Sequence, residues 1–403
     1  MEYSYKMISE LGRVVTGKTP LTENEEYFGG SYPFITPSDI HSYDEKYLSE
    51  TERTVSEDGA RILKGMRLPP QSICFVCIGS TIGKMCMTNT LSYSNQQINT
   101  LIPNKEYDCE YIFYYLRYVK SYFQSIGGGT GSGKGIVNKS LFSKTKLSVL
   151  EGKTNQQRIG AILSAYDNLI EVNNKRIKVL EQMAENLYKE WFVRFRFPGH
   201  ETAEFENGLP KGWEYKRAEE AIIFNPTLNI GNQKQFTIIP MEALSTTSMV
   251  LDSSCFVVQD SISGRRSQNG DTLLAKITPC LENGKTGFVM GMPDGDVLGG
   301  STEFVVMRSK TLTPYYVYCI ARSEFFRQTA ILSMNGADGR QRVDEDKLKA
   351  TKILHPDKAT LDRFDAMIRP IFDNVYQMVQ KNKNLIKQRD LLLPRLMSGK
   401  LEV

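Results

Sequence analysis

Two stretches of this chain repeat apolar residues at alternating steps of four and three, and this pattern restricts the possible folds more than any other feature. From Gln156 to Phe197 the sequence contains no Pro and one Gly, Gly160. A repeat averaging about 3.5 residues is typical of a coiled-coil seam. The first seam comprises Ile159, Leu163, Tyr166, Ile170, Asn173, Ile177, Leu180, Ala184, Leu187 and Trp191. The second, between Lys358 and Ser398, comprises Phe364, Ile368, Ile371, Val375, Met378, Asn382, Leu385, Arg389, Leu392 and Leu396.

Each predicted helix would be about 60 Å long at about 1.5 Å per residue, which is too long for one small core to bury. We therefore expect the two helices to bury each other. Asn173 is the fifth seam position of the first helix and Asn382 the sixth of the second, so full antiparallel overlap brings them together. We predict that these two side chains are neighbours, where they can form a hydrogen bond across the seam, and a buried asparagine pair of this kind can fix helix register and orientation.

The sequence also carries an internal duplication of about half its length. The aromatic run Tyr111–Ser125 corresponds to Pro314–Gln328 at an offset near 204. Gly83-Lys84 matches Gly284-Lys285 at an offset of 201. At an offset of 206, Val137 matches Val343 and Asp167-Asn168 matches Asp373-Asn374.

Residues 1–155 and 198–357 contain short β-branched and aromatic runs between Gly, Pro, Asn and Asp turns, which indicates two similar domains of mixed α/β (α+β) class. The predicted order is domain 1 (1–155), a spacer helix (156–197), domain 2 (198–357) and a C-terminal spacer helix (358–403). The expected fold is thus a pseudo-two-fold tandem repeat with two antiparallel coiled-coil helices.

The composition is that of a folded protein, since 40% of the 403 residues are hydrophobic and 24% are charged. These values exclude a disordered, collagen-like or disulfide-stapled chain. Seven cysteines are an odd number, no charged-then-apolar leader is evident, and no apolar run reaches the roughly 20 residues of a membrane span. We expect a soluble cytoplasmic protein with reduced thiols and no membrane partner.

The charges are unevenly distributed along the chain. Residues 1–155 carry 17 basic and 16 acidic side chains, and residues 198–357 carry 17 and 20. Only the second predicted helix is clearly basic, with 9 basic and 4 acidic side chains between residues 358 and 400. Strong nonspecific phosphate binding scales with the number of phosphates neutralised, so it is not expected from this chain alone.

A glycine-rich loop at residues 127–135, GGGTGSGKG, resembles a phosphate-binding loop at Gly128, Gly133 and Lys134. The motif requires Ser or Thr next, but position 135 is Gly, and the loop follows a predicted helix instead of a strand. We therefore favour a flexible glycine loop over a nucleotide-dependent phosphotransferase. Such a loop either is simply solvated or presents Thr130, Ser132, Lys134, Asn138 and Lys139 to phosphates or bases.

Neither the cysteines nor the histidines indicate a metal or catalytic site. Cys74 and Cys77, with Cys86 nearby, fall in a predicted buried strand, where side chains three positions apart point to opposite faces. His41, His200 and His355 are isolated from one another in the sequence. We expect buried thiols, no metal and no catalytic residues.

Polar clusters at comparable places in the two domains form the candidate DNA-contacting set, because amides, hydroxyls and basic groups can read base edges. Arg340 and Arg342 are of particular interest because arginine can donate two hydrogen bonds to guanine. Besides Ser132, Lys134, Asn138 and Lys139, the set comprises Lys18, Thr19, Ser80, Thr81, Lys84, Asn95, Gln96, Gln97, Lys276, Lys285, Ser301, Thr302, Arg340, Gln341 and Arg342.

Four segments resemble the specificity subunits of type I restriction-modification systems. They are VVTGKTP (Val14–Pro20), QQRIGAILSAYDNLIEVNNKRI (Gln156–Ile177), LPKGWEYKRAEE from Leu209, and LLLPRLMSGKLEV at the C-terminus. The resemblance extends over essentially the whole chain, although DKATLDRFDAMI (Asp357–Ile368) lacks the QQRI that opens the first helix.

This resemblance implies a non-catalytic subunit with two target-recognition domains, each reading half of a bipartite, asymmetric site in double-stranded DNA. It implies docking to two modification (methyltransferase) subunits and two restriction (translocase/nuclease) subunits. Those partners would bring S-adenosylmethionine, ATP and magnesium, and this chain would hold no cofactor. The alternative is a coiled-coil adaptor without DNA specificity.

Overall fold

The structure, a computed structural model, describes residues 2–43, 45–48, 50–128, 135–337 and 339–403. The chain forms two compact units. The first consists of Met1–Glu171 with Lys383–Val403, and the second of Val172–Asn382.

Among its described residues, the first unit contains nine strands, five short α-helices and one part of each of two long helices. The strands are β1 (Tyr3–Met7), β2 (Gly12–Thr16), β3 (Phe28–Ile35), β4 (Arg53–Val55), β5 (Ile73–Val76), β6 (Met85–Met87), β7 (Tyr93–Ser94), β8 (Ile98–Pro103) and β9 (Lys146–Leu150). The helices are α1 (Ile8–Leu11), α2 (Glu57–Ile62), α3 (Cys109–Tyr118), α4 (Lys120–Gly128), α5 (Lys139–Lys144) and the long α6 (Lys153–Tyr188).

The second unit repeats these elements after a small hairpin, except that α2 has no α-helical counterpart among its described residues. Its strands are β10 (Phe205–Glu206), β11 (Leu209–Pro210), β12 (Glu214–Arg217), β13 (Ile222–Phe224), β14 (Phe236–Ile239), β15 (Val257–Gln259), β16 (Thr272–Ala275), β17 (Thr286–Phe288), β18 (Gly299–Gly300), β19 (Phe304–Ser309) and β20 (Lys352–His355). Its helices are α7 (Ala218–Ala221), α8 (Pro314–Arg322), α9 (Glu324–Leu332), α10 (Glu345–Ala350) and the long α11 (Lys358–Met397).

The sheets have the same strand order in both units, which is the structural form of the internal duplication. The four-stranded antiparallel sheet runs β2-β8-β5-β6 in the first unit and β13-β19-β16-β17 in the second. A three-stranded sheet (β4-β3-β7 or β15-β14-β18) and a two-stranded sheet (β1-β9 or β12-β20) accompany it.

Local sequence explains why the principal elements form. All four residues of β5, Ile73–Val76, are buried, as expected for a short apolar run inside a sheet. Asp108 caps the aromatic helix α3, and Thr313 caps its counterpart α8, where Pro314 occupies the first turn.

The long helices pack along the predicted seams, and every seam position is buried or half-buried. In the second unit, Asn173 contacts Asn382 and Trp191 contacts Phe364, so the two helices are antiparallel. In the first unit, Asp167 pairs with Arg389. The predicted mixed α/β fold with two antiparallel coiled-coil helices is therefore confirmed.

The ends of the helices differ from the predicted segments. Helix α6 begins at Lys153 and continues after Tyr188 as a π-helical turn, Lys189–Val193. The π-helical turn is followed by Phe195 with φ +58°. The compact units divide inside the long helices, so the four-segment domain division stays a prediction.

All seven cysteines are free thiols. Cys74 and Cys77 belong to different apolar clusters, which is consistent with side chains on opposite faces of the strand. Among the described residues, no helix combines the length and apolar character needed to cross a membrane. No group of three His, Cys, Asp or Glu side chains in the described part of the chain is arranged to hold a metal ion.

Candidate nucleic-acid interface

In the first unit, the register of the four-stranded sheet brings three loops to one end. Ile98 at the start of β8 pairs with Val76 at the end of β5, and the next residue, Asn99, pairs with Thr16 at the end of β2. Because the strands are antiparallel, the loops after β2 and β5 and the loop before β8 meet there. These loops carry most of the residues selected from the sequence of this unit.

Direct hydrogen bonds join the loop after β2 to the loop before β8. Thr19 Oγ1 donates to Gln96 Oε1 at 2.8 Å, and the Lys18 backbone N–H donates to the Ser94 carbonyl at 2.9 Å. A Cβ added to Gly17 would lie 2.1 Å from the Ser94 oxygen, so this approach requires glycine. The Lys18 and Gln96 side chains remain exposed.

The segment before α5 closes the same group of loops. The Val137 N–H donates to the Cys77 carbonyl at 2.9 Å, and the Gly79 N–H donates to the Gly135 carbonyl at 2.8 Å. The Asn138 side chain caps α5 by accepting a backbone hydrogen bond. Its carbonyl oxygen is therefore already engaged, while the residue remains exposed.

The second unit has the same backbone arrangement. The Lys276 N–H donates to the Glu303 carbonyl at 3.0 Å, as the Cys77 N–H donates to the Gln97 carbonyl at 2.9 Å. The Val343 N–H donates to the Lys276 carbonyl at 2.9 Å, which matches the Val137 contact in the first unit. Equivalent loops thus converge in both units.

Charged side chains distinguish the second unit, and a first cluster surrounds Glu345. This carboxylate accepts hydrogen bonds from Arg265 Nη2 at 2.8 Å, Lys276 Nζ at 3.0 Å and Asn225 Nδ2 at 2.6 Å. The Lys276 side chain is only 13% exposed. The ammonium group is therefore held inside the cluster.

A second carboxylate, Glu303, holds Arg342. Arg342 donates from Nε to both Glu303 oxygens, at 3.1 and 2.9 Å, and from Nη2 at 2.8 Å. These hydrogen bonds and the guanidinium charge lower the pKa of Glu303 and raise that of Arg342. Both groups are therefore charged at neutral pH.

The structure places the selected residues in different environments. Those that are exposed are Lys18, Ser80, Gln96, Asn138, Lys139, Thr302, Arg340 and Arg342. Those that are half-buried are Thr19, Thr81, Lys84, Asn95, Gln97, Lys276, Lys285, Ser301 and Gln341. Ser132 and Lys134, with Thr130 and Gly133 of the glycine-rich loop, lie outside the described residues.

Two of the selected lysines have their ammonium groups bound to backbone carbonyls. Lys84 Nζ donates to the carbonyls of Ile40 and His41 at 3.1 and 3.2 Å. Lys285 Nζ donates to the Met241 carbonyl at 3.2 Å. Each lysine lies directly before a strand, and its ammonium group binds a distant backbone segment. A DNA contact by either lysine stays a prediction.

Arg265 and Glu345 belong to the charged cluster but were not among the residues selected from the sequence. Glu345 opens α10, and Arg265 lies in a loop 80 positions earlier. No local motif connects them, because their proximity depends on sheet pairing. The one local signal in the sequence is Asp344, which caps α10 and so fixes the start of the helix at Glu345.

The two seam asparagines are neighbours and share a hydrogen bond. Asn173 Nδ2 donates to Asn382 Oδ1 at 2.8 Å, and Asn382 Nδ2 donates to Asn174 Oδ1 at 2.8 Å. Asn173 and Asn382 are 2% and 7% exposed. Their role in fixing the register of the helices stays a prediction.

In the first unit, the seam contains a buried ionic cluster at Asp167. Arg389 Nη1 donates to Asp167 Oδ1 at 2.5 Å, and Tyr114 and Arg117 donate to the other carboxylate oxygen at 2.6 and 3.2 Å. Burial lowers the pKa of Arg389, but Asp167 and Asp390 outweigh this and raise it overall. The cluster therefore joins both long helices to α3.

Comparison with known proteins identifies relatives along the whole chain. A family model described as the type I restriction modification DNA specificity domain matches residues 2–182. The type I restriction enzyme MjaIX specificity subunit of Methanocaldococcus jannaschii is 25% identical over 425 residues, which covers 100% of this chain and 94% of that protein. The HindI specificity subunit of Haemophilus influenzae is 34% identical over 147 residues, or 36% of this chain and 31% of that protein.

A solved structure has the same fold. It is the S subunit of a type I restriction-modification system from M. genitalium, with a TM-score of 0.58 and 12% identity. The match covers 98% of this chain and 96% of that one.

Proposed function

Because this chain belongs to the family of type I restriction-modification specificity subunits, we propose that it reads a bipartite, asymmetric site in double-stranded DNA for such a complex. Each unit would read one half-site with the loops at the end of its four-stranded sheet. The observation that carries this proposal is the repeated backbone arrangement, which presents equivalent loops twice in one chain.

The side chains on these loops are better suited to reading bases than to catalysing a reaction. Amides and hydroxyls can donate to and accept from base edges in the major groove, and guanidinium groups can donate to them. The proposed role is recognition, with methylation and cleavage carried out by partner subunits. Those partners would supply S-adenosylmethionine, ATP and magnesium, and two modification and two restriction subunits would complete the assembly.

The long helices offer surfaces for the modification subunits. In the second unit, Val172, Val179 and Met183 on α6 and Met367 on α11 are 43%, 58%, 51% and 50% exposed. Apolar side chains exposed on a helix that already buries another face favour a protein partner. We propose that the modification subunits cover these side chains in the complex.

Coexpression with the modification subunit tests the function. Methylated adenines would be mapped across the host genome in cells with and without this chain. A motif of two short defined sequences separated by a fixed gap is expected. Methylation without sequence preference, or the same motif in cells that lack this chain, would contradict the proposal and would favour an adaptor.

A further inference from the structure

The two units differ in chemistry at positions that their backbones make equivalent. Ile78 forms an isolated antiparallel β-bridge with Ile136 in the first unit, and Ile277 forms one with Arg342 in the second. Gln97 and Glu303 are likewise equivalent, because each carbonyl accepts the matching backbone hydrogen bond described above. An isoleucine and a neutral amide in one unit thus occupy the places of an arginine and a carboxylate in the other.

The contact between Glu303 and Arg342 leaves one edge of the guanidinium group available. Glu303 accepts from Nε and Nη2, whereas Nη1 has no hydrogen bond to any described residue. The Arg342 side chain is 51% exposed. The Nη1 and Nη2 atoms can therefore donate together to an external acceptor, in the geometry that matches guanine O6 and N7.

The backbone on both sides of this pair is fixed. Arg342 and Asn335 exchange two backbone hydrogen bonds of 2.9 Å, and the Glu303 N–H donates to Ser301 Oγ at 3.2 Å. A side chain held before binding loses less conformational entropy when it binds. By contrast, Arg265 and Lys276 are both bound to Glu345 and are 32% and 13% exposed.

We propose that Arg342 reads a guanine in the half-site bound by the second unit, and that Glu303 is the positioning residue that aims its guanidinium group. The first unit, with Ile136 and Gln97 at these places, has no equivalent guanine reader there. This inference rests on the proposed function and deepens it, because it assigns a base to one of the two half-sites.

The test uses the chain assembled with its modification subunits and DNA containing the mapped bipartite site. Each guanine of the second half-site is replaced in turn by 7-deazaguanine, which lacks the N7 acceptor. At one position, this replacement should weaken wild-type binding by about 5- to 30-fold. In the Arg342→Ala complex, the unmodified site should bind about 5- to 150-fold more weakly, and the replacement should have no further effect.

Glu303→Gln tests the positioning role. It removes the negative charge, so binding to unrelated DNA should stay constant or strengthen, while the preference for the mapped site and the 7-deazaguanine effect should both decrease. A fold defect would instead weaken binding to both DNAs. Arg342→Lys should not restore the preference, because a lysine cannot donate in the bidentate geometry.

Arg340→Ala is the charge-matched control, since it removes one positive charge from the same loop. It should weaken binding to all sequences alike and keep the effect of 7-deazaguanine. The inference is overturned if the second half-site contains no guanine, or if replacing its guanines by 7-deazaguanine does not weaken binding. It is also overturned if Arg342→Ala lowers the affinity for all sequences by the same factor. A wild-type complex without any bipartite preference would instead overturn the proposed function itself.

Discussion

At the scale of single residues, Glu181 on α6 is a carboxylate in an unfavourable position. It accepts a hydrogen bond from the Met249 backbone N–H at 2.7 Å, and burial raises its pKa from the ordinary value of 4.5. A raised pKa means that ionised Glu181 destabilises the folded state above that pKa, and that the cost disappears as the pH falls through it.

We therefore predict that Glu181→Gln is more stable than the wild type at pH 7, and that the difference shrinks as the pH falls towards 4.5. Urea unfolding at a series of pH values measures this. Glu185→Gln removes the same charge one turn further along α6 at an exposed site. An equal trend in both variants would contradict the prediction.

The seam asparagines allow a second prediction at this scale. Asn382→Leu leaves the buried Asn173 amide without its partner, so the free energy of unfolding should fall by about 1–3 kcal/mol. The double variant Asn173→Leu/Asn382→Leu replaces both partners and should recover much of that loss. Urea midpoints compare the wild type, the two single variants and the double variant. A double variant whose loss of stability equals the sum of the two single losses would show that the two asparagines do not stabilise each other.

At the scale of secondary-structure elements, the first turn of α5 separates two possible roles of Asn138. Asn138→Ala removes the helix cap and should lower the free energy of unfolding by about 1 kcal/mol. Asn138→Ser keeps a capping oxygen without the amide, so its stability should equal that of the wild type.

Methylation mapping completes this experiment. If capping is the whole role of Asn138, the Ala and Ser variants both retain the wild-type DNA motif. A motif altered at one base in both variants would instead assign the lost amide to base reading.

Elements were predictable from the sequence where their signal is local. The seams of α6 and α11 follow from apolar spacing alone, and the contact of Asn173 with Asn382 follows from the same spacing when the helices overlap fully and run antiparallel. The pairing of Arg342 with Glu303, 39 positions apart, depends on how β16 and β19 align, and no periodicity reports that. The apolar spacing continues to Trp191 and therefore gave no sign that the α-helix changes to a π-helical turn after Tyr188.

At the scale of the whole molecule, the net charge of +4 is small for 403 residues. Charges of both signs occur throughout, and several basic groups of the second unit are bound to carboxylates. Nonspecific affinity decreases with salt in proportion to the number of phosphates contacted. We predict that the chain alone binds unrelated DNA weakly, with a shallow salt dependence, and that adding the modification subunits makes it steeper.

Fluorescence anisotropy with unrelated duplex DNA at several salt concentrations measures both slopes. A slope for the chain alone as steep as that of the complex would show that this chain provides most of the phosphate contacts.

The first unit is not a continuous stretch of chain. Leu393, Leu396 and Met397 of α11 belong to its apolar core, and the boundary at Lys383 lies 212 positions after Glu171. A ribosome adding about 5–20 residues per second needs roughly 10 to 40 s to bridge that gap. During translation, the N-terminal half must therefore wait for residues 383–403 to emerge, and a premature stop before Lys383 would remove a part of the unit that was made first.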